Sequence, residues 1–296
     1  MTSGLILEIG GGHKPSPAAD VVVDKYLFDN TERAASLRIT PRTIIADGAH
    51  LPFLNKSFSY TIGRQVMEHM DDIGRFFEEI MRVSSAGYLA SPSYLRELAF
   101  FWSFHRWFIT MQNDTLICAP KLNQRPIAGQ LLHYFAATNR DFQRFLRSLP
   151  VGFLNIQYHW KDAIKYKIVQ KIDPPPFHTF EEIEAYLANC SGLKASKGLK
   201  AGFLRILPGS VVDLVEQGRG FYFGIRRSSI RRSIDLRKLL ACPLCRVNVY
   251  CNSDAYHCPT CQRSYPILNG IPIFLTDEKD LEELRFNSVT KEEFVL

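Results

Sequence analysis

The sequence predicts an α/β protein with a mainly parallel sheet, helices on both of its faces, an antiparallel edge strand and a small cysteine-rich module at its end. Two observations lead to this prediction. Short apolar runs alternate with polar or helical connections through residues 5–92, a pattern typical of parallel sheets covered by helices. Two C-x₂-C pairs follow near the C-terminus, and such pairs can place four thiolates around one metal ion.

The N-terminal elements follow from the spacing of apolar residues. Each predicted strand is a short apolar run that ends at a polar or glycine-containing turn. The predicted strands are residues 5–9, 20–24, 43–47, 58–62 and 87–90. Between the last two, residues 72–83 carry apolar side chains every three or four positions, so this segment is predicted to be an amphipathic helix.

After residue 92 the pattern becomes irregular. An aromatic insertion covers about residues 93–137, and Asn139 has the character of an N-cap for a helix that runs to about Leu149. Alternating apolar positions predict an antiparallel strand pair at the sheet edge. The predicted strands are residues 152–160 and 164–172, and two further helices are expected at 179–190 and 211–217.

Composition and charge limit the classes of protein. The 296 residues are 46% hydrophobic, which suits one large domain and a small appendage. A basic leader and a long uncharged run are both absent from the sequence, so we expect neither a signal peptide nor a spanning helix. Seven cysteines in a chain of this length do not resemble a secreted disulfide scaffold, so a cytoplasmic location is expected.

The positive charge is concentrated in one segment. Residues 226–238 contain six basic residues against one acidic residue, whereas the whole chain carries a net charge of +6. The segment is predicted to be a basic linker. If the protein binds RNA or an anionic surface, we expect the contact here, although a solvated linker is the simpler interpretation.

A strand that ends in an acid and then three glycines indicates a cofactor loop. Glu8 is followed by Gly10, Gly11 and Gly12, and the next strand ends in Asp24. Glycines allow a sharp turn and close approach to a ligand, and a carboxylate at this position can accept both hydrogen bonds of a ribose diol. A nicotinamide cofactor is the weaker alternative, because position 15 is a proline where that motif has its third glycine.

Two later motifs make the pattern more specific. The third strand leads into residues 47–53 (DGAHLPF), and the fourth into residues 65–72 (QVMEHMDD). With the glycine loop, these motifs resemble the class I S-adenosylmethionine-dependent methyltransferases, in the methyltransferase type 11-like group. The resemblance covers about residues 4–92 and implies a Rossmann-like fold.

The resemblance also implies roles for individual residues. Glu8 and Gln65 would lie near the methionine part of the cofactor, Asp24 would hold the ribose, and Asp47 would accept a hydrogen bond from the adenine amine. The residues implied to bind the cofactor are Glu8, Gly10, Gly11, Gly12, Asp24, Asp47, Gly48, Ala49 and Gln65. The sequence departs from the family in one connection: only eleven residues separate Gly12 from Asp24, so the first helix is expected to be very short or absent.

Three side chains are candidates for proton transfer at a methyl acceptor. They are Glu68 and His69, within the family motif, and His105, within the aromatic insertion. A purely structural role for Glu68 and His69 is the alternative. The aromatic side chains around His105 could form a substrate lid, cover a lipid-linked acceptor or contact a membrane surface, or they could simply be core.

The cysteine pairs are Cys242 with Cys245 and Cys258 with Cys261. With the sequence YPILNGIP after the second pair, residues 239–276 resemble the small zinc-ribbon protein that activates methyltransferases acting on tRNA, rRNA and release factors. The resemblance implies one structural Zn²⁺ held by four thiolates. Rubredoxin-type iron and a redox dithiol remain as alternatives.

Together these features predict a cytoplasmic methyltransferase with a zinc ribbon in the same chain. The expected organisation is a methyltransferase domain at residues 1–225, a basic linker at 226–238, the ribbon at 239–276 and a charged tail at 277–296. The acceptor is expected to be a small molecule or a glycan- or lipid-linked metabolite. RNA or a translation protein is the alternative acceptor, and a non-catalytic scaffold that binds cofactor, or nothing, is a second alternative.

Overall fold

The computed structural model describes residues 4–121, 127–173, 177–190, 234–282 and 284. The chain divides into two compact units. Among the described residues, the first unit comprises 4–63, 72–87, 234–282 and 284, and the second comprises 64–71 and 88–190. The cysteine module therefore belongs to the same compact unit as the glycine-rich loop.

The helices and strands follow one another along both units. In chain order they are β1 (Ile6–Ile9), β2 (Val21–Asp24), β3 (Thr43–Ile45), β4 (Tyr60–Arg64), α1 (Ile73–Val83), β5 (Ala86–Pro92), α2 (Tyr94–Phe100), β6 (Trp107–Gln112), β7 (Thr115–Pro120), α3 (Ile127–Thr138), α4 (Arg140–Ser148), α5 (Val151–Leu154), β8 (Asn155–Lys161), β9 (Tyr166–Ile168), α6 (Phe180–Cys190), β10 (Tyr250–Cys251), β11 (Ala255–His257), β12 (Ser264–Leu268) and β13 (Ile271–Pro272).

The first unit is built on a parallel sheet. Strand β1 pairs in parallel with both β2 and β4, and β2 pairs in parallel with β3. The resulting order is β3-β2-β1-β4, with β5 next to β4. The direction of the strand order reverses between β1 and β4, and ligands of open α/β sheets bind at such a reversal. The predicted parallel sheet, its five strands and its Rossmann-like class are confirmed.

Helix α1 connects β4 to β5 and begins where the sequence predicts. Asp72 is its N-cap and accepts a hydrogen bond from the backbone N–H of Arg75 at 2.9 Å. The predicted apolar face is fully buried. In contrast, the described connections at residues 10–20 and 25–42 contain turns and no helix. The missing first helix is the departure that the short β1–β2 spacing predicts.

The second unit contains the end of β5, strand β8 beside it, and a separate three-stranded sheet. In that sheet β6 pairs antiparallel with β7, and β9 pairs in parallel with β7. Helix α4 begins at the predicted cap, since Asn139 Oδ1 accepts a hydrogen bond from the N–H of Phe142 at 2.8 Å. Helix α6 matches the prediction at 179–190, and the helix expected at 211–217 lies outside the described residues.

The predicted antiparallel pair at residues 152–160 and 164–172 is wrong. Residues 151–154 form the short helix α5, and the strands that follow, β8 and β9, belong to different sheets. Between them Asp162 has a positive φ of 64° and the chain turns away after a single bridge from Lys161 to Ala163. The alternation in β8 instead reflects burial of Ile156 and Tyr158 on one face. Alternating apolar residues show which face of a strand is buried, but they do not identify the strand that pairs with it.

The cysteine module is an antiparallel sheet in the order β10-β11-β12-β13. A tight turn joins β12 and β13, with positive φ at Asn269 and Gly270. After β13, Ile273 forms a parallel bridge to Ile45 of β3, and the N–H of Phe274 donates to the Ile45 carbonyl at 2.7 Å. The module therefore continues the parallel sheet beyond β3.

Within the part of the chain that is described, no helix has the length and apolar character needed to cross a membrane.

Candidate functional site

The loop after β1 turns sharply because of its glycines. Gly10 and Gly12 have φ values of 70° and 53°, the left-handed region that favours glycine. A side chain at Gly11 would place its Cβ only 2.6 Å from a methyl group of Val22. The three glycines are therefore required by backbone conformation or by space, and the loop lies directly at the end of β1.

Glu8 has a role in the loop that the sequence does not predict. Its side chain is fully buried, and its Oε2 accepts a hydrogen bond from the N–H of Ser16 at 2.5 Å. This contact fixes the return of the chain from the glycine loop toward β2. Because no helix follows the loop, the buried carboxylate of Glu8 supplies part of the order that a helix N-terminus gives in helix-linked βα units.

Asp24 lies at the end of β2 and faces the glycine loop. Its carboxylate accepts hydrogen bonds from the N–H of Gly12 at 3.0 Å and of Tyr26 at 3.3 Å, and forms an ion pair with Arg33 at 3.2 Å. Burial raises the pKa of Asp24, and the Arg33 guanidinium and the backbone donors only partly offset that rise. The sequence gives no sign of Arg33, because a loop of eight residues separates it from Asp24.

Asp47 follows β3 in the same unit. Its Oδ1 accepts the N–H of Ala49 at 2.7 Å, and its Oδ2 lies 3.2 Å from Lys25 Nζ. Lys25 also pairs with Asp280 of the C-terminal segment at 3.2 Å. Burial acts to lower the pKa of Lys25, but the two carboxylates outweigh it and the pKa is raised. The turn is tight: a Cβ at Gly48 would lie 3.1 Å from the Phe76 ring.

These residues fit S-adenosylmethionine in their chemistry. The donors of that molecule are a ribose diol, an adenine amine and an ammonium group, and the end of the sheet offers the carboxylates of Asp24 and Asp47 beside a glycine loop. Carboxylates accept hydrogen bonds only. Two adjustments are needed, because Arg33 already uses one oxygen of Asp24 and Lys25 already pairs with Asp47. The cofactor hydroxyls must share Asp24 with Arg33 or displace it, and the adenine amine must share Asp47 with Lys25 or displace it.

Gln65 belongs to the second unit, directly after β4. It has a positive φ of 51°, and its N–H donates to the carbonyl of Ala90 at 2.8 Å. Its side-chain amide donates to Asn155 Oδ1 at 3.2 Å. A non-glycine residue in this strained conformation is held there by its backbone hydrogen bond, which is a feature often found at functional sites.

The three candidate side chains for proton transfer come together in the second unit. One ligand atom from each of Glu68, His69 and His105 lies within 4.8 Å of the other two. The rings of His69 and His105 meet edge to face, with centroids 4.7 Å apart. His105 Nδ1 lies 2.6 Å from Glu97 Oε2, and Lys121 forms an ion pair with the same carboxylate. The sequence does not predict Glu97.

Within the aromatic insertion, several rings near His105 stack on one another. Phe100 is buried, and its ring stacks on Trp102 with centroids 5.0 Å apart. Trp102 in turn stacks on His105 at 5.1 Å, and the Arg96 guanidinium lies over the Trp102 ring. The insertion therefore supplies the surroundings of His105.

The four predicted metal ligands converge in the first unit. Sγ atoms of Cys242, Cys245, Cys258 and Cys261 all lie within 4.8 Å of one another. The backbone N–H of Cys245 points to Cys242 Sγ at 3.4 Å, and that of Cys261 to Cys258 Sγ at 3.5 Å. Four sulfur donors complete a tetrahedral set, which fits Zn²⁺ in a structural role. Cys251 is exposed and stands outside this set.

Parts of the chain are similar to parts of several solved structures. The YcgJ protein of Bacillus subtilis is 19% identical, with a TM-score of 0.25 over 30% of this chain and 44% of that chain. A methyltransferase of Methanosarcina mazei, described as S-adenosylmethionine-dependent, is 14% identical, with a TM-score of 0.27 over 38% of this chain and 69% of that one. A complex between the Haloferax volcanii Trm112 methyltransferase activator and a methyltransferase is 16% identical, with a TM-score of 0.23 over 30% of this chain and 45% of that chain. The matched part spans less than half the length of the first of these.

No curated protein matches the chain. The TM-scores are low, so the assignment depends on the family model and on the residues at the strand ends. Residues 10–90 match the model of the methyltransferase domain family, and this range contains the glycine loop, Asp24, Asp47 and the Glu68–His69 motif. Residues 10–90 are therefore similar to the methyltransferase domain family.

Proposed function

We propose that this chain transfers a methyl group from S-adenosylmethionine to an acceptor. The observation that carries the proposal is the placement of Asp24 and Asp47 at the ends of neighbouring strands, beside the glycine loop of β1. The proposed organisation is a catalytic domain at residues 1–225 and a zinc ribbon at 239–276. The proposed cofactor-binding residues are Glu8, Gly10, Gly11, Gly12, Asp24, Asp47, Gly48, Ala49 and Gln65, and the proposed zinc ligands are Cys242, Cys245, Cys258 and Cys261.

The residues of this chain have limited chemical work to do in such a reaction. A sulfonium is already an activated methyl donor, so the protein mainly has to hold the acceptor in line and exclude water. An acceptor hydroxyl also needs a group that takes its proton. Within the cluster of Glu68, His69 and His105, His105 is the best oriented candidate when no ion occupies the cluster, because Glu97 holds its Nδ1 and leaves Nε2 to take the proton.

Calorimetry with S-adenosylmethionine and S-adenosylhomocysteine tests the proposal. The unmodified chain is expected to bind both, and Asp47→Ala is expected to bind about 10- to 150-fold more weakly, from the loss of a hydrogen bond of about 1.5–3 kcal/mol to a charged group. Asp141→Ala is the matched control, because Asp141 is exposed on α4 and pairs with Arg144 at the surface. Absence of binding by the folded chain would favour a non-catalytic scaffold.

A lipid-linked acceptor is supported by the surface of α3 and α4. Five large apolar side chains are exposed there: Ile127, Leu131, Tyr134, Phe135 and Phe145. Helix α4 adds three exposed arginines, at positions 140, 144 and 147, against one aspartate. Apolar and basic side chains on one helical surface are typical of contact with an anionic lipid surface. A small-molecule or glycan acceptor does not need this surface.

Vesicle flotation tests the lipid-linked acceptor. The chain is expected to float with vesicles of phosphatidylglycerol and phosphatidylcholine, more than with phosphatidylcholine alone. The double variant Leu131→Ala and Phe145→Ala should float several-fold less. The reason is that it removes apolar surface whose burial contributes about 25 cal/mol per Å² to membrane binding. The matched control is Phe180→Ala, because Phe180 is exposed on α6 in the same unit. Equal flotation by both variants would contradict a role for α3 and α4.

RNA or a translation protein is the second candidate acceptor. Its support is the basic segment at 226–238, of which residues 226–233 lie outside the described part, together with the resemblance of the module to the methyltransferase activator. RNA binding should weaken steeply with salt, because it releases counterions. Replacement of Arg226, Arg227, Arg231 and Arg232 should reduce that salt dependence. The thiolate cluster also supports a reducing, cytoplasmic location.

A further inference from the structure

The carboxylate of Glu68 is buried without a hydrogen bond. The side chain is 1% exposed, and neither carboxylate oxygen has a hydrogen-bond partner among the described residues. Arg96 interacts electrostatically with Glu68, but its Nη1 donates to the Leu154 carbonyl and to Asn155 Oδ1. Burial lowers the pKa of Arg96, and the negative charge of Glu68 opposes that decrease. A buried carboxylate with unsatisfied oxygens is costly, so these atoms call for a donor or a cation.

His105 is held in the orientation that metal ligands have. Glu97 is buried and accepts from both His105 Nδ1 and Lys121. An acceptor-only carboxylate requires the proton on Nδ1, which leaves the lone pair on Nε2; this tautomer follows from the hydrogen-bond network. A carboxylate that holds one ring nitrogen while the other binds an ion is the usual outer shell of a metal-binding histidine.

The backbone of Glu68 and His69 is fixed by the start of β6, which lies within the insertion. The N–H of Arg106 donates to the Glu68 carbonyl at 2.7 Å, and its guanidinium donates to the His69 carbonyl at 2.6 Å. Trp107 Nε1 donates to the Met70 carbonyl at 2.7 Å. These contacts hold two of the three candidate ligands on one rigid turn. The Phe104 ring lies against both histidines and provides an apolar wall.

We propose that Glu68, His69 and His105 bind one Zn²⁺ ion with Glu97 as the outer ligand-orienting group. Zn–N distances of about 2.0–2.1 Å correspond to about 3.4 Å between ligand atoms of a tetrahedral site. The present separations are at most 4.8 Å, so small side-chain rotations complete the site. Three protein ligands leave a fourth position open for a water or an acceptor oxygen. All four residues belong to the second unit. The proposal of this metal site is independent of the proposed methyl transfer.

The competing arrangement is a metal-free pair in which Arg96 neutralises Glu68. The two arrangements differ in what the intact chain binds. With the Cys cluster loaded, a second site predicts about two equivalents of Zn²⁺ per chain, whereas the ion pair predicts about one. Cobalt distinguishes the sites further, because Co²⁺ bound by thiolates shows sulfur-to-metal charge-transfer absorption and Co²⁺ bound by imidazole and carboxylate does not.

The experiment is metal analysis and Co²⁺ titration of the full chain after dialysis. We expect a second equivalent without charge-transfer absorption, with an affinity lowered at least tenfold in Glu68→Gln and in His105→Asn. His159→Asn is the matched control, because His159 is an exposed histidine of the same unit. One equivalent in the unmodified chain, or a second equivalent that survives both ligand substitutions, would overturn the proposal. The number of metal equivalents bound by the unmodified chain tests the proposal even where a variant fails to fold. Calorimetry with S-adenosylmethionine is a separate measurement, so failure of the metal site and failure of the proposed function can be told apart.

Discussion

The chain contains two clusters that can hold a metal, and they differ in how they are built. In the first unit four cysteines converge from two knuckles of one small sheet. In the second unit Glu68 and His69 are adjacent, while His105 comes from the insertion 36 positions later. The cysteine donor set is closed and suits a structural ion, whereas the other has three ligands and an open position. Sequence spacing reveals the first kind of cluster, and only the fold reveals the second.

The two clusters also differ in their outer shells. Around the cysteines, the hydroxyl of Tyr265 lies 3.1 Å from Cys242 Sγ, and backbone N–H groups supply the remaining contacts. Around the histidines, Glu97 carries a charge that is itself paired with Lys121. Loss of a ligand should therefore affect folding in the first cluster and affinity in the second. The predictions below separate these two kinds of effect.

The largest effect is expected from Cys242→Ser. Structural zinc contributes about 10–16 kcal/mol of apparent binding free energy in small modules, so the ribbon should unfold and lose its Zn²⁺. Cofactor binding should weaken without being abolished, because Asp280 of the same segment pairs with Lys25, which contacts Asp47. Zinc content, limited proteolysis and calorimetry measure these outcomes. A ribbon that resists proteolysis but contains no zinc would show that its fold does not depend on the metal.

A smaller and more local effect is expected from Glu97→Gln. The amide keeps an acceptor for His105 but loses the charge, and outer-shell substitutions typically lower metal affinity 10- to 100-fold, or about 1.4–2.7 kcal/mol. The metal of the cysteine cluster should stay bound. Glu78→Gln, on the exposed side of α1, is the control. Equal changes at both clusters would indicate general loss of structure rather than loss of an oriented ligand.

Tyr265→Phe should lower the zinc affinity of the cysteine cluster by about tenfold, since a hydrogen bond to a charged group contributes about 1.5 kcal/mol at the lower end of its range. The ring remains to stack on Phe274, with centroids 4.7 Å apart, so the module should stay folded. Competition with a chromophoric chelator measures the affinity. An unfolded module would show that the hydroxyl is structural and not merely a tuning contact.

The smallest effect is expected from Cys251→Ser. Cys251 lies in β10, is exposed, and is not among the four ligands. Its replacement should change the free energy of unfolding by less than about 0.5 kcal/mol, as surface substitutions usually do. Zinc content and thermal unfolding check this. Loss of zinc in Cys251→Ser would mean that the ligand set has been assigned incorrectly.

The local part of the fold could be predicted from the sequence. Strands β1 to β5, helix α1, the Asn139 cap and the four cysteine ligands follow from patterns within a few residues. The partners of long side chains could not be predicted. Arg33 reaches Asp24, and Lys25 joins Asp47 to Asp280, because the loops between them take paths that no periodicity encodes. The predicted β8–β9 pair failed for the same reason, since alternation does not specify which strand lies alongside.

The bridge from Ile273 to Ile45 has a consequence for solubility. Strand β3 is the last in the order of the first unit's sheet, and an open strand edge offers unpaired backbone groups to other molecules. The ribbon covers that edge through Phe274 and buries Ile45 against Ile273 and Leu275. Without zinc the ribbon would no longer cover β3, and the apolar edge of the sheet would be exposed. Such chains should self-associate before the residues at the strand ends are disturbed.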